Sequence, residues 1–379
     1  MSQGKKLLLA CMYAIVIIGA ALILKYWVLP PSDPAPSSSR DAAATANESK
    51  VADASSKDSQ DSFDNLVKRY GDIPLIDAHN HSASNRSYDW KIDHMWDKYR
   101  VDRVVLFGNV SEPSAIQTDQ YAWEAYQQYP ERFVPFFSGI DLHDPASLDM
   151  VKEKLEQGYF SLGELAAAST YSPVLANVAW KTEHPMDGIF PQLYELCAAY
   201  NAPLLLHIDP PNGMVITKLE EALKAYPDTT IIFAHANAYN SPENIRMLLE
   251  KYPNLYADFF AGFTAFNPES VNKLVDFVPV IKDFPDRFLL STDSGFGLAA
   301  EEQAIEAMYQ MMDALQDREL ATKIASGNME RLIRSQKATA TQITAIQKLD
   351  RDRGQQRDVS KLTKEEAGNI LIEEGTQHQ

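Results

Sequence analysis

The sequence predicts an α/β fold, a TIM (β/α)8 barrel, on three observations. Between Asp64 and Ser335, short β-rich runs alternate with longer amphipathic stretches, the pattern of βα units feeding a parallel sheet. There are eight such runs, the number and spacing a closed barrel needs. Polar residues end many of the runs, and a barrel's C-terminal rim is where its active site lies. A doubly wound open sheet is the competing fold. It would carry a glycine-rich phosphate turn after an early strand, and no GxGxxG or GxxxxGK(S/T) occurs.

Taken in chain order, Lys5-Lys6 precede an apolar run from Leu7 to Leu24, with Tyr26 and Trp27 behind it. Residues 1–29 are therefore predicted to form a signal anchor or transmembrane helix that leaves the N-terminus inside and everything after it outside the cytoplasm. Residues 30–63 are Pro, Ser, Ala and Asp with almost no large apolar side chain, too little to offset ordering entropy, and read as a disordered linker. The barrel occupies 64–335. Its strands are expected at Ile73–His81, Val101–Val110, Arg132–Leu142, Tyr159–Leu165, Ala202–Pro210, Thr229–Asn237, Leu255–Phe260 and Arg287–Gly295. Helices are expected between them at Ser147–Gln157, Ile189–Tyr200, Lys218–Tyr226, Pro242–Tyr252 and Ser270–Phe277. Residues 336–379 read as a polar tail with one helical patch around Leu362–Ile372.

Composition narrows the chemistry. The 379 residues carry 35 Lys plus Arg against 52 Asp plus Glu, a net charge of −17. A basic surface that neutralises nucleic-acid phosphates is thus excluded, and a small-molecule substrate is expected. The two cysteines, Cys11 and Cys197, cannot build a zinc ribbon or a disulfide framework. Any metal must be held by nitrogen and oxygen.

Donors of that kind gather at the predicted strand ends. In Ile76-Asp77-Ala78-His79-Asn80-His81, alternation puts Asp77, His79 and His81 on one face, so two imidazoles reach one cation. His207 follows Leu204-Leu205-Leu206, His235 follows Ile231-Ile232-Phe233-Ala234, and Asp293 ends the eighth run. Four of the eight histidines thus share one rim. Histidine and carboxylate ligands suit a divalent metal, zinc best, with manganese, iron or nickel also fitting.

These residues resemble the amidohydrolase superfamily, most closely its amidohydrolase-2 (amidohydrolase-related) branch. The resemblance spans about Ile73 to Arg334 and rests on IDAHNH, GEL at Gly163–Leu165, LLLH, FAHAN, LYAD, STDSG and GNMERLI. It implies that His79, His81, His207 and Asp293 bind metal, and that His235 is a second-metal ligand or a catalytic group. Glu164 falls where some relatives carry a carboxylate bridging two ions, so one or two ions are expected. Asp77 is a candidate to orient a ligand histidine through its second nitrogen. Asn328 is read as a helix cap, and Asp209, Asp258, Tyr171 and Trp180 as structural rather than substrate-contacting. His94, His143, His184 and His378 are read as surface residues.

The expected activity is metal-dependent hydrolysis of a small-molecule ester, lactone or amide. Metal-activated water attacks, Asp293 moves the proton and His235 stabilises the oxyanion. Three alternatives stand beside it. A non-oxidative decarboxylase of the same family would be favoured by a buried arginine at the mouth. A metal-dependent deoxyribonuclease is opposed by the charge. An envelope-anchored binding module without turnover would retain the ligands.

Overall fold

Eight strands, all parallel, pair in chain order within one sheet. They are β1 (Ile76–Asn80), β2 (Arg103–Leu106), β3 (Phe133–Phe137), β4 (Ser161–Ala168), β5 (Leu204–Asp209), β6 (Ile231–Phe233), β7 (Leu255–Phe260) and β8 (Phe288–Ser291). The sheet curls until β8 lies beside β1. There the Thr292 N–H and hydroxyl donate to the two carboxylate oxygens of Asp77 at 2.9 and 2.5 Å. The computed structural model describes residues 62–375 except 169–171, 173 and 210–214. The expected anchor over 1–29, nearly all of the linker over 30–63, Tyr171 and His378 lie outside the described residues, as does the side chain of Asp209. Among the described residues no helix is long and apolar enough to cross a membrane.

The strands are apolar on both faces because helices cover the outside and packed side chains fill the inside. All five residues of β3 (FVPFF) and all four of β8 (FLLS) are buried. The helices that matter below are α1 (62–70), α2 (Pro113–Gln128), α3 (Ser147–Gln157), α4 (Phe190–Tyr200), α5 (Val215–Ala225), α6 (Pro242–Lys251), α7 (Val278–Asp283), α8 (Glu301–Leu315), α9 (Ala340–Arg353) and α10 (Lys364–Gly375). Proline opens α2, α6 and α7 within the first two positions, where its missing N–H costs nothing.

Two expectations differ from the structure. The helix expected over Ser270–Phe277 begins as a 3-10 turn at Leu274–Phe277 and becomes α-helical only over Val278–Asp283. Pro279 fixes the start there, and the Asp276 carboxylate accepts from Lys273 N–H at 2.7 Å. The C-terminal segment also holds more structure than one patch. α9 starts at a capping box in which Thr339 and Gln342 exchange side-chain and backbone hydrogen bonds. Both last helices pack under the barrel: the α9 cap Thr339 donates its hydroxyl to Glu156 O on α3 at 2.7 Å, and Lys364 Nζ at the start of α10 donates to Tyr159 O at 3.0 Å, next to the start of β4. The strand ends opposite are left open.

Candidate metal centre

Two imidazoles set the geometry. His79, buried at the end of β1, has its Nδ1 2.7 Å from Asp258 Oδ2 on β7. His81 has its Nδ1 2.7 Å from the Gly108 carbonyl after β2. Carboxylate and carbonyl oxygens only accept, so each Nδ1 carries the hydrogen and each Nε2 presents a lone pair. Those two Nε2 atoms stand 3.0 Å apart. At that distance a shared proton bridges them in the metal-free protein, and a metal ion could take its place.

Glu164, from β4, lies between this pair and a second one. Its Oε2 is 3.8 Å from His79 Nε2 and 3.5 Å from His81 Nε2. Its Oε1 is 2.9 Å from His207 Nδ1 and 3.1 Å from His235 Nε2, which are themselves 3.0 Å apart. Asp293 Oδ1 closes the first group, 3.4 Å from His79 Nε2 and 3.6 Å from His81 Nε2. Donors about 2.0–2.2 Å from a common tetrahedral ion stand roughly 3.3–3.6 Å apart; the first group spans 3.0–3.8 Å, so shifts of a few tenths of an ångström would let it hold one ion. His79, His81 and Glu164, and Glu164, His207 and His235, each form a set with donor atoms within 4.8 Å of one another. All six side chains singled out from sequence are thus brought together, with Glu164 common to both sets. His235 Nε2 lies within the second set, 3.1 Å from Glu164 Oε1 and 3.0 Å from His207 Nδ1.

Charge in the cluster is strongly coupled. Burial opposes protonation of His79, yet Asp293, Glu164 and Asp258 around it raise its pKa to about 10. Burial likewise opposes ionisation of Glu164, but His207 and His79 hold it well below the usual carboxylate range. Asp293 is lowered against burial by His79 and His81, and His235 is raised against burial by Glu164 and Asp293. Without metal, the carboxylates draw protons onto the imidazoles. A cation would take the protons' place.

Local backbone conformation aims these groups. His235, just past β6, is left-handed at φ 34° and its N–H donates to Asp258 Oδ2 at 2.9 Å. Asp293 and Ser294 are left-handed too, at φ 45° and 50°. Ser294 Oγ accepts from His81 N–H at 2.7 Å, tying the end of β8 to β1. Non-glycine residues in this region cost free energy and concentrate at functional sites. Gly163 is at φ 122°, and a Cβ there would sit 2.4 Å from the Leu205 carbonyl, so only glycine lets β4 approach β5 and place Glu164. Asp119 on α2 accepts from the N–H groups of Gly108, Ser138 and Gly139 at 3.1, 2.7 and 2.8 Å. It thereby fixes the carbonyl that holds His81.

Several secondary expectations are corrected. The carboxylate on His79 Nδ1 is Asp258, not Asp77. Asp77 instead accepts from Thr292 and, at 2.8 Å, from Asn80 Nδ2; burial pushes its pKa up to about 6. Asn80 Nδ2 also donates to Glu301 at 2.9 Å, and Glu301 pairs with Lys91, a partly buried polar chain that the sequence pattern does not reveal. Asn328 does not cap; its amide donates to Pro285 O, before β8, and to Phe288 O, the first residue of β8. His94 and His143 are exposed as expected, while His184 is half-buried. Above the cluster opens a cavity of about 760 Å3, lined by His81, Glu164, His207, His235 and Asp293 at its base and by βα loops around it. Trp180 does not line it.

The family model described as Amidohydrolase matches residues 76–334. An uncharacterized TIM-barrel protein from Bordetella bronchiseptica is similar in structure, with a TM-score of 0.51 at 19% identity over 69% of this chain and 98% of that one. A probable 2-pyrone-4,6-dicarboxylic acid hydrolase from Acinetobacter baumannii gives a TM-score of 0.47 at 16% identity, covering 69% and 99%. A 2,6-dihydroxybenzoate decarboxylase from Rhizobium gives 0.47 at 13%, covering 68% and 98%. No curated protein sequence matches. The family match takes in every strand of the barrel and all six converging donors, and the chain belongs to the amidohydrolase family, in its amidohydrolase-2 branch.

Proposed function

We propose that the protein is a metal-dependent hydrolase of small-molecule esters, lactones or amides. The observation that carries this reading is the pair of donor sets sharing Glu164, with the His79 and His81 Nε2 atoms 3.0 Å apart. His79, His81 and Asp293 would hold one divalent ion, His207 and His235 a second, with Glu164 between them. Zinc is the first candidate and manganese the competing one. When bound, the metal supplies a water acidic enough to attack near neutral pH and polarises the scissile carbonyl. Asp293 keeps Oδ1 against the imidazoles and takes the water's proton at Oδ2, returning it to the leaving group. Apolar loops around the cavity limit competing water.

Decarboxylation is the alternative chemistry for the same donors. It calls for a cation to receive the substrate carboxylate away from the metal, and the described residues lining the cavity include no lysine or arginine. The apolar run before the linker supports attachment to a membrane with the barrel outside the cytoplasm.

Metal analysis together with turnover of an ester, lactone and amide panel tests the proposal. Asp293→Asn should lower kcat by about 10²–10⁴-fold and His79→Ala should abolish activity and release the ion of the first set, both with the circular dichroism of the native barrel. Full activity in either variant, or carbon dioxide as the product, would count against hydrolysis.

A further inference from the structure

The outer walls of the cavity differ in character from its base. Val110, Val174, Leu175, Phe260, Phe263 and Phe296 make them largely apolar. Two carboxylates share that space, Glu112 on the loop after β2 and Glu269 on the loop after β7. Glu112 accepts from Ser114 Oγ, Glu269 is exposed, and neither forms an ion pair with a described residue. No lysine or arginine is among the described lining residues. The two undescribed stretches of the loops after β4 and β5 cannot supply one, since residues 169–173 are STYSP and 210–214 are PPNGM.

A negative group held in this outer region would lose water against apolar walls and face two carboxylates, with no cation to receive it. Among the described residues lining the cavity, positive charge is available only at the base, from the histidines and the metal they would hold. An anionic reacting group is therefore tolerated and a second, distal anion is not. A neutral apolar group gains from burial, and a cationic one also gains from Glu112 and Glu269.

We propose that the site selects substrates carrying no negative charge away from the reacting group: esters or amides whose remaining portion is apolar and either neutral or cationic. This narrows the hydrolase reading and rests on it.

The test uses the full chain loaded with zinc and three aryl esters of equal acyl length, ending in methyl, trimethylammonium or carboxylate. The methyl and trimethylammonium esters should exceed the carboxylate ester in kcat/KM by at least about tenfold. Glu112→Gln combined with Glu269→Gln should narrow the trimethylammonium-to-carboxylate ratio by at least about threefold. A carboxylate ester turned over as well as the others, or a ratio untouched by the double variant, overturns the proposal.

If no ester is cleaved, the hydrolase reading fails separately. Alkyl hydroxamates bearing the same three termini are then compared by calorimetric binding to the zinc-loaded protein. Weaker binding of the carboxylate probe by the same margin upholds the inference. Equal or tighter binding, or binding of none of the three, overturns it.

Discussion

Asp258 Oδ2 grips two parts of the site at once, the Nδ1–H of His79 and the backbone N–H of His235. Its other oxygen, Oδ1, is buried without a hydrogen-bond partner, so little else fixes this carboxylate. Replacing it with asparagine puts an amide where two donors converge and frees the His79 tautomer. Asp258→Asn is expected to weaken metal binding by 10–100-fold, the usual cost of losing a carboxylate behind a ligand histidine, while leaving the thermal midpoint of the apoprotein within a few degrees. Titration against a chromogenic chelator reads the first quantity, and an unchanged affinity would remove Asp258 from the account. The residue stood in plain view as the one acid in LYADFF, yet its partner is 179 positions away, a separation that sequence pattern does not bridge. Asp77 drew attention because it shares a strand face with His79. Two residues of strand, however, separate their Cα atoms by about 6.6 Å, and the carboxylate turns to the neighbouring strand instead. The histidines of the donor set were legible because His79, His207 and His235 each follow an apolar run at or near a strand end, whereas Glu164, in the middle of β4, was placed only by the family resemblance.

Strand β4 depends on a single backbone position. Its neighbour β5 comes close enough at Gly163 that any side chain would meet the Leu205 carbonyl, and φ 122° adds strain for any residue but glycine. Gly163→Ala should therefore push the two strands apart, costing about 1–3 kcal/mol in denaturant unfolding. Because Glu164 is the next residue, it should also lower the number of ions bound per chain. A variant with native midpoint and native metal content would show that β4 adjusts without moving Glu164. Element by element, the sequence is most readable where burial is two-sided: β7 and α3 fall on the expected residues, and the other strands lie inside the expected runs except β4, which continues three residues beyond Leu165 to Ala168. β6 ends early, at Phe233, because the chain must turn left-handed at His235 to present its ring. That turn serves the site rather than the sheet, so hydrophobic pattern carries no trace of it. α9 was readable in principle from Thr339-x-x-Gln342, but its charged sequence has no apolar stripe to announce it, and its partner Glu156 lies on α3.

The whole molecule has two unlike ends: an open mouth with the donor cluster, and a base sealed by α9 and α10. The seal includes Lys364, fully buried, whose ammonium donates to the Tyr159 carbonyl at 3.0 Å and lies 5.9 Å from the Tyr200 ring. No carboxylate pairs with it among the described residues. Burial consequently lowers its pKa from 10.5 to about 7, with Cys197 and Glu156 offsetting only part of the effect. Between these two values the unfolded chain holds the proton and the folded chain has released it. Stability should therefore rise as pH increases from about 7 towards 10.5, by up to about 1.4 kcal/mol per pH unit from this group, and should gain nothing further from it above that range. Other groups titrate in the same window, so the measurement is a difference: urea unfolding of the full chain against Lys364→Met at several pH values. The methionine fills much of the same space without a charge, and its stability curve should lack the upward slope contributed by the lysine. Parallel curves would mean that Lys364 keeps its proton in the folded protein, and the base of the barrel would then have to contain a route for water to reach it.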